Sequence, residues 1–193
     1  PAPIFTKRIE EETLERVIRP VLREMSRIEA PFLGVLFAGL MIGAEGPRLV
    51  EFNARFGDPE CQALMRRLKS DLLPVLHAAA TGRLREVSLE WTPEASAVVV
   101  MAADGYPGAH RKGGEIKGVE RANTLPGVVV FQAGTEEKEG RLLAAGGRVL
   151  SVSAAGAALP AAVRRASAGV AAIDWPGGFC RRDIGWRAMK TFI

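Results

Sequence analysis

A carboxylate, a carboxamide and a guanidinium recur at every second position in the run Arg48-Leu-Val-Glu-Phe-Asn-Ala-Arg-Phe-Gly-Asp-Pro-Glu60: they belong to Glu51, Asn53 and Arg55. In an extended strand alternate residues share a face, so these three project together while Val50, Phe52 and Ala54 line the other side. At strand rise each lies about 6.6 Å from the next. The carboxylate and amide oxygens are hard donors suited to Mg²⁺, and the planar fork of an arginine suits phosphate oxygens. Read without chemistry, the same pattern is a solvated strand face carrying ordinary charges.

The elements around it must hold these groups in place. Upstream, Phe32 to Ala44 is a long apolar run, and Glu45-Gly46-Pro47 is a turn signal leading into the second run. Two paired strands follow from that. A buried hairpin with three polar groups on one face requires partners for them, which a metal or phosphate would supply. Downstream, Gly57 permits a turn, Asp58 can cap a helix and Pro59 suits the first helical position. Capping alone explains Asp58; the other reading has Asp58 and Glu60 binding an amine.

Residues 8–29 place Ile9, Leu14, Val17, Ile18, Val21, Leu22, Met25 and Ile28 at near-helical spacing, with acidic residues early. Pro20 inside this helix predicts a kink or a break. Ser70 or Asp71 opens another helix that stops at Thr81-Gly82, with His77 expected to pack on it. Residues 83–94 read as a connector. Beyond them, Ala95–Ala103, Val128–Phe131, Arg141–Ala144 and Arg148–Ala154 read as strands, Tyr106-Pro-Gly108 as a turn, and 158–172 as an Ala-rich helix. His110-Arg-Lys-Gly-Gly114 suits either an anion-binding loop, with Lys112 adding charge, or a flexible hairpin. Arg181, Asp183 and Arg187 suit surface ion pairs.

Taken with Pro31-Phe-Leu-Gly-Val-Leu-Phe-Ala-Gly-Leu-Met-Ile42, the stretch Gly46–Gln62 resembles the glycinamide ribonucleotide synthetase (phosphoribosylamine–glycine ligase) family of the ATP-grasp superfamily. The likeness continues through Leu68-Lys-Ser-Asp-Leu72, Gly105-Tyr-Pro-Gly108, Lys112-Gly113, Gly146-Gly-Arg-Val-Leu150 and Arg181-Arg-Asp-Ile-Gly-Trp-Arg187, and Pro1-Ala-Pro3 resembles a mid-chain segment of the family. It reaches nearly all of the chain but only the C-terminal half of such an enzyme. No glycine-rich phosphate loop of the Walker or dinucleotide-binding type occurs.

The resemblance implies an α+β fold. Residues 1–82 would be the C-terminal part of an ATP-grasp domain, with antiparallel strands and helices. After the connector 83–94, residues 95–193 would be a small, mainly β domain with one or two helices. It further implies an ATP-dependent ligase joining glycine to 5-phosphoribosylamine through glycyl phosphate, in de novo purine biosynthesis. ATP and Mg²⁺ or Mn²⁺ are the implied cofactors, with Glu51 and Asn53 as metal ligands and Arg55 as the catalytic group on phosphate. Asp58, Glu60 and Lys112 are the substrate candidates, and the C-terminal domain is a wall of the substrate site. Several ATP-grasp enzymes carry another acidic ligand on the preceding strand, whereas Ala38-Gly-Leu-Met41 fills that place here. The 193 residues alone are expected to be inactive without an amino-terminal half. The competing expectation is a non-catalytic binding or assembly module that needs a partner chain.

Composition narrows the classes. With 193 residues, 48% of them hydrophobic, the chain can build a real core. The +4 formal charge is scattered and aromatics total 6%, which disfavours a nucleic-acid module. Two cysteines, Cys61 and Cys180, and two histidines give no zinc pattern and suit a reducing cytosol, although a Cys61–Cys180 disulfide is compatible with the sequence. No signal peptide and no apolar run long enough to span a membrane is read, so the expected location is the cytoplasm.

Overall fold

The computed structural model describes residues 4–189. Pro1-Ala-Pro3 and the last four residues of the tail lie outside the described residues. The chain forms two compact units, one built from residues 4–57 and 70–90 and the other from 58–69 and 91–189.

In the first unit, α1 (Lys7–Thr13) runs through a π-helical turn (Leu14–Ile18) into α2 (Arg19–Arg27). Thr6 caps the start by accepting the Ile9 N–H. Ile9, Thr13 and Val17 are buried at four-residue spacing, whereas Leu14 and Ile28 of the expected apolar face are exposed and α2 has no buried residue. The Arg19 N–H reaches back five residues to the Leu14 carbonyl. Pro20 therefore causes no break: it sits in the first turn of α2, just after a widened turn that relieves crowding between its ring and the preceding carbonyls.

The hairpin follows as β1 (Phe37–Gly43) and β2 (Gly46–Asn53), antiparallel and closed by Ala44–Glu45. Gly46 has φ +92°, and a Cβ on it would lie 2.6 Å from Glu12 Oε2, so glycine both makes the turn and lets α1 dock against it. The register slips between Gly39 and Leu40, leaving Val50 as the extra residue of a bulge. The strand begins at Phe37, five residues later than the apolar run. The hairpin is also less buried than expected: Met41 and Val50 are each 65% exposed.

The second unit opens with α3 (Glu60–Met65). Returning to the first unit, α4 (Leu72–Ala80) is capped by Asp71, whose carboxylate accepts the Leu73 N–H, and ends at Thr81 with Gly82 at φ +70°. His77 is exposed on α4 rather than packed, because it lies on the face that it shares with exposed Leu73 and Ala80. Within the connector, only Leu84–Glu86 forms a short 3₁₀ turn.

The rest of the second unit contains β3 (Ala95–Ala103), α5 (Val119–Asn123), β4 (Val128–Gln132), β5 (Thr135–Lys138), β6 (Arg141–Ala144), β7 (Arg148–Gly156), α6 (Leu159–Ala172), β8 (Gly178–Cys180) and α7 (Trp186–Met189). Among the described residues the main sheet runs β4-β7-β3-β8, all antiparallel, with β5-β6 as a separate hairpin. Every residue of β7 after Arg148 is buried, so this central strand is covered on both faces. Helix α6 packs through Ala162, Ala166 and Gly169; a Cβ on Gly169 would meet Val152 Cγ1 at 2.7 Å and Val128 Cγ1 at 2.8 Å. Along the edge strand β4, the Val130 N–H is bonded by Asn123 Oδ1 at 2.8 Å.

Three residue pairs tie α3 and its flanks to this sheet. Arg148 holds Asp58, Ser96 Oγ donates to the Ala63 carbonyl at 2.9 Å, and Arg66 donates to the Gly127 carbonyl at 3.2 Å. No helix among the described residues is long and apolar enough to cross a membrane.

Candidate functional site

Strand β2 delivers Glu51 and Asn53 to one face, where they pair with Gly39 and Phe37 of β1. Gly39 makes room for the carboxylate: a Cβ there would lie 3.3 Å from Glu51 Cγ. The Asn53 side chain donates through Nδ2 to Glu51 Oε1 at 3.0 Å. Arg55 lies past the strand end, in the bend that follows, and not on the strand as its spacing suggested. It nevertheless turns back, donating through Nη2 to Asn53 Oδ1 at 3.2 Å and through Nη1 to the Phe56 carbonyl at 2.8 Å.

The three polar groups are thus brought together as a hydrogen-bonded file, with Glu51 and Arg55 exposed and Asn53 half-buried. They satisfy one another, which removes the argument that a buried face demands a ligand. The donor set fits a hard divalent cation that keeps waters and phosphate oxygens in its remaining positions, since one carboxylate and one carboxamide stand side by side. Among the described residues no cluster of three or more Asp, Glu, His or Cys side chains could hold a metal unaided.

In the second unit, Asp58 does not cap α3. The cap position is Pro59, with no side-chain bond, and the Asp58–Pro59 peptide is cis. The Asp58 carboxylate instead pairs with Arg148 (Nη2 to Oδ2, 2.9 Å), and the Asp58 carbonyl accepts from Arg148 Nη1 at 3.2 Å. Burial, then the charge of Asp58, pushes the neighbouring Cys61 thiol up from its ordinary pKa. Both cysteines are free. Glu60 opens α3 with its side chain exposed.

Lys112 is exposed and, with Gly113, Glu136, Lys138 and Leu143–Ala145, lines a shallow depression of about 420 Å³. Its segment is not a hairpin: the Gly113 N–H donates to the Ala144 carbonyl at 2.7 Å, and the Ala144 N–H donates to the Gly114 carbonyl at 2.9 Å. That pairing makes it an added edge on β6. The anion-loop reading is left with Lys112 and Lys138 as its cations, and the Glu136 carboxylate beside them works against an anion.

Arg181 and Asp183 form an exposed two-pronged pair, Nε to Oδ1 at 2.9 Å and Nη2 to Oδ2 at 2.6 Å, and the hydrogen bond from Arg181 lowers the Asp183 pKa. Arg187 lies over the Trp186 ring at 5.3 Å.

The sequence reading missed Arg148 as the partner of Asp58, because 90 positions separate them. It also missed Gly39, for which the signal existed: a glycine inside a strand marks a close approach.

Comparison with known proteins bears on both units. Residues 1–61 match the family model described as the ATP-grasp (A) domain of phosphoribosylglycinamide synthetase, and residues 96–187 match that of its C domain. A phosphoribosylamine–glycine ligase from Mesorhizobium japonicum is 54% identical over 189 residues, covering 98% of this chain and 44% of the relative. The chloroplastic phosphoribosylamine–glycine ligase of Arabidopsis thaliana is 52% identical over 194 residues, covering 98% of this chain and 36% of the relative. Among solved structures, the crystal structure of a phosphoribosylamine–glycine ligase from Thermotoga maritima aligns with a TM-score of 0.73 at 31% identity, covering 95% of this chain and 44% of that one. The chain therefore spans less than half the length of these relatives.

Proposed function

Because the chain belongs to the phosphoribosylglycinamide synthetase family, with the ATP-grasp and C domains matched in their order along it, we propose that it supplies the C-terminal part of an ATP-dependent carboxylate–amine ligase. The reaction is the joining of glycine to 5-phosphoribosylamine. In it, a glycine carboxylate oxygen attacks the γ-phosphorus of ATP and ADP departs, giving glycyl phosphate. The amine of 5-phosphoribosylamine then attacks the acyl carbon, phosphate departs, and a proton leaves the new amide nitrogen. The amino-terminal half of such an enzyme, in the same polypeptide or on a partner chain, would complete the site.

The observation that carries this reading is the file Glu51–Asn53–Arg55. In phosphoryl transfer the protein mainly positions groups and neutralises charge. Arg55 presents a planar fork to phosphate oxygens, and Asn53 holds that fork in place. Glu51 and Asn53 Oδ1 would hold Mg²⁺ or Mn²⁺, which when bound draws negative charge from the nucleotide phosphates. Asp58, Glu60 and Lys112 are proposed as substrate contacts.

Residues 1–82 are assigned to the ATP-grasp part, 83–94 to a connector and 95–193 to the C-terminal domain, and the spans of the two family matches support this division. Function in de novo purine synthesis in the cytoplasm is part of the proposal. The experiment is glycine-dependent ADP formation with 5-phosphoribosylamine and Mg²⁺, measured for the chain with and without the amino-terminal half of a relative. Turnover only in the mixture supports a divided site; no turnover in the mixture, beside an active full-length control, sinks the reading.

The exposure of Met41 and Val50 favours a second reading, a module that assembles with another chain without turning over substrate. Light scattering separates the two, since a compact monomer at high concentration counts against assembly.

A further inference from the structure

We propose that Arg148 is a positioning residue for the amine substrate: it fixes the Asp58 carboxylate so that its unbonded oxygen faces an incoming N–H donor. This rests on the reading of Asp58 as an amine-binding group. The evidence is the way one guanidinium addresses one residue twice, through Nη2 on Oδ2 at 2.9 Å and Nη1 on the backbone carbonyl at 3.2 Å. A single ion pair would leave the turn free to rotate beneath the carboxylate. Two bonds from a planar fork restrain the backbone and the side chain of Asp58 together.

Arg148 is itself well rooted. It is the first residue of the central strand β7, and Val149 and Leu150 behind it are fully buried. The preceding residue is held as well, since the Ala103 N–H donates to the Gly147 carbonyl at 2.8 Å. Asp58 stands outside regular structure, with no cap bond to α3 to orient it. The rigid partner therefore sets the geometry of the loose one.

The pair remains open to a ligand. The Arg148 and Asp58 side chains are 41% and 47% exposed, and Oδ1 of Asp58 takes no bond within the described residues. An ionised carboxylate has about four acceptor sites, so Oδ1 can accept from an amine while Oδ2 stays on Arg148. A surface ion pair kept only for stability would contribute little, whereas the double contact to side chain and backbone restricts direction.

Cys61 provides a readout independent of catalysis, because the Asp58 charge contributes to raising its thiol pKa. The test is a double-mutant cycle on the pH profile of Cys61 alkylation, made in a Cys180→Ser background of the chain, with Asp58→Asn and Arg148→Lys, which keeps the charge and removes the fork. With Arg148 in place Asp58→Asn is expected to lower the midpoint. In the Arg148→Lys background the same change is expected to lose at least half of that effect, since the carboxylate no longer has a fixed place. An Asp58→Asn effect of the same size in both backgrounds overturns the positioning role. The second arm uses a complete ligase containing this half. Arg148→Gln is expected to raise the KM for 5-phosphoribosylamine about tenfold with the KM for ATP unchanged, and the loss is not to add to that of Asp58→Asn. Additive losses, or an unchanged KM for the amine, overturn the substrate role. If the parent ligase itself is inactive the proposed function fails, and the alkylation cycle still decides whether Arg148 holds Asp58.

Discussion

A methyl group on Gly39 would stand 3.3 Å from Glu51 Cγ across the β1–β2 pair. That is closer than most carbon contacts in proteins, and the atoms in question belong to the side chain that the proposed metal site depends on. Gly39 has no positive φ, so alanine is allowed by the backbone and acts only through this contact. Gly39→Ala is expected to leave the melting temperature nearly unchanged and to weaken Mg²⁺–ATP binding several-fold in a complete ligase. Calorimetric titration checks it, and wild-type affinity would show that Glu51 tolerates the shift.

Asn53 both donates to Glu51 and accepts from Arg55, so removing it unties both neighbours. Asn53→Ala should lower kcat/KM for ATP by about tenfold or more, an effect of about 1.4 kcal/mol or more on the barrier. Asn53→Asp should do worse than its similar shape suggests, because it places a second carboxylate beside Glu51 and loses the donor. Equal activity of all three forms would remove Asn53 from the site.

Arg55→Lys retains the charge but not the fork. A lysine cannot make the bonds to Asn53 Oδ1 and the Phe56 carbonyl at once in the same plane. Single-turnover ADP formation is expected to slow about tenfold with nucleotide affinity little altered. A loss confined to affinity would make Arg55 a binding group and no more.

Gly169→Ala sets two effects against each other in α6. Alanine gains about 1 kcal/mol of helix propensity over glycine. Its methyl would lie 2.7 Å from Val152 and 2.8 Å from Val128, in a packed core where overfilling costs about 1–3 kcal/mol. The clash is expected to win, leaving the chain about 1 kcal/mol less stable. Urea unfolding followed by the fluorescence of buried Trp175 measures the sign.

The Asp183 carboxyl is held below the ordinary aspartate value by its hydrogen bond from Arg181. A depressed folded-state pKa contributes stability that is complete above the unfolded-state value and is lost as pH falls through the folded one. Both groups are solvent-exposed, so the contribution is small and screened by salt. Carboxyl NMR should find Asp183 titrating below an unpaired aspartate, and Arg181→Gln should move it upward. An unmoved midpoint would mean that the pair does not persist in solution.

The sequence revealed most where one residue's type settles its own place. The strand Ala95–Ala103 is β-branched and apolar, and Asp71 caps α4, so both elements stand where the pattern predicts. The short strands β5 and β8 were missed because Thr135–Lys138 is polar and Gly178–Cys180 is only three residues long, too little to carry a period. The file at Glu51 was half legible. Alternation placed Glu51 and Asn53 together, but it could not show that the strand stops at Asn53 or that the guanidinium of Arg55 folds back. The bulge at Val50 leaves no local signature, since it is decided by the facing strand. Asp58 was misread as a cap because the residues around it satisfy the capping preference, and only the tertiary fold brings Arg148 within reach.

The bond from Val130 N–H to Asn123 Oδ1 closes part of the outer edge of β4. That edge follows Val128-Val-Val-Phe131, a short apolar sequence of the kind that recruits further strands when its donors are bare. By occupying one of them, a single asparagine on a neighbouring helix removes a donor that an added strand would use, so strand addition at this edge is less favourable.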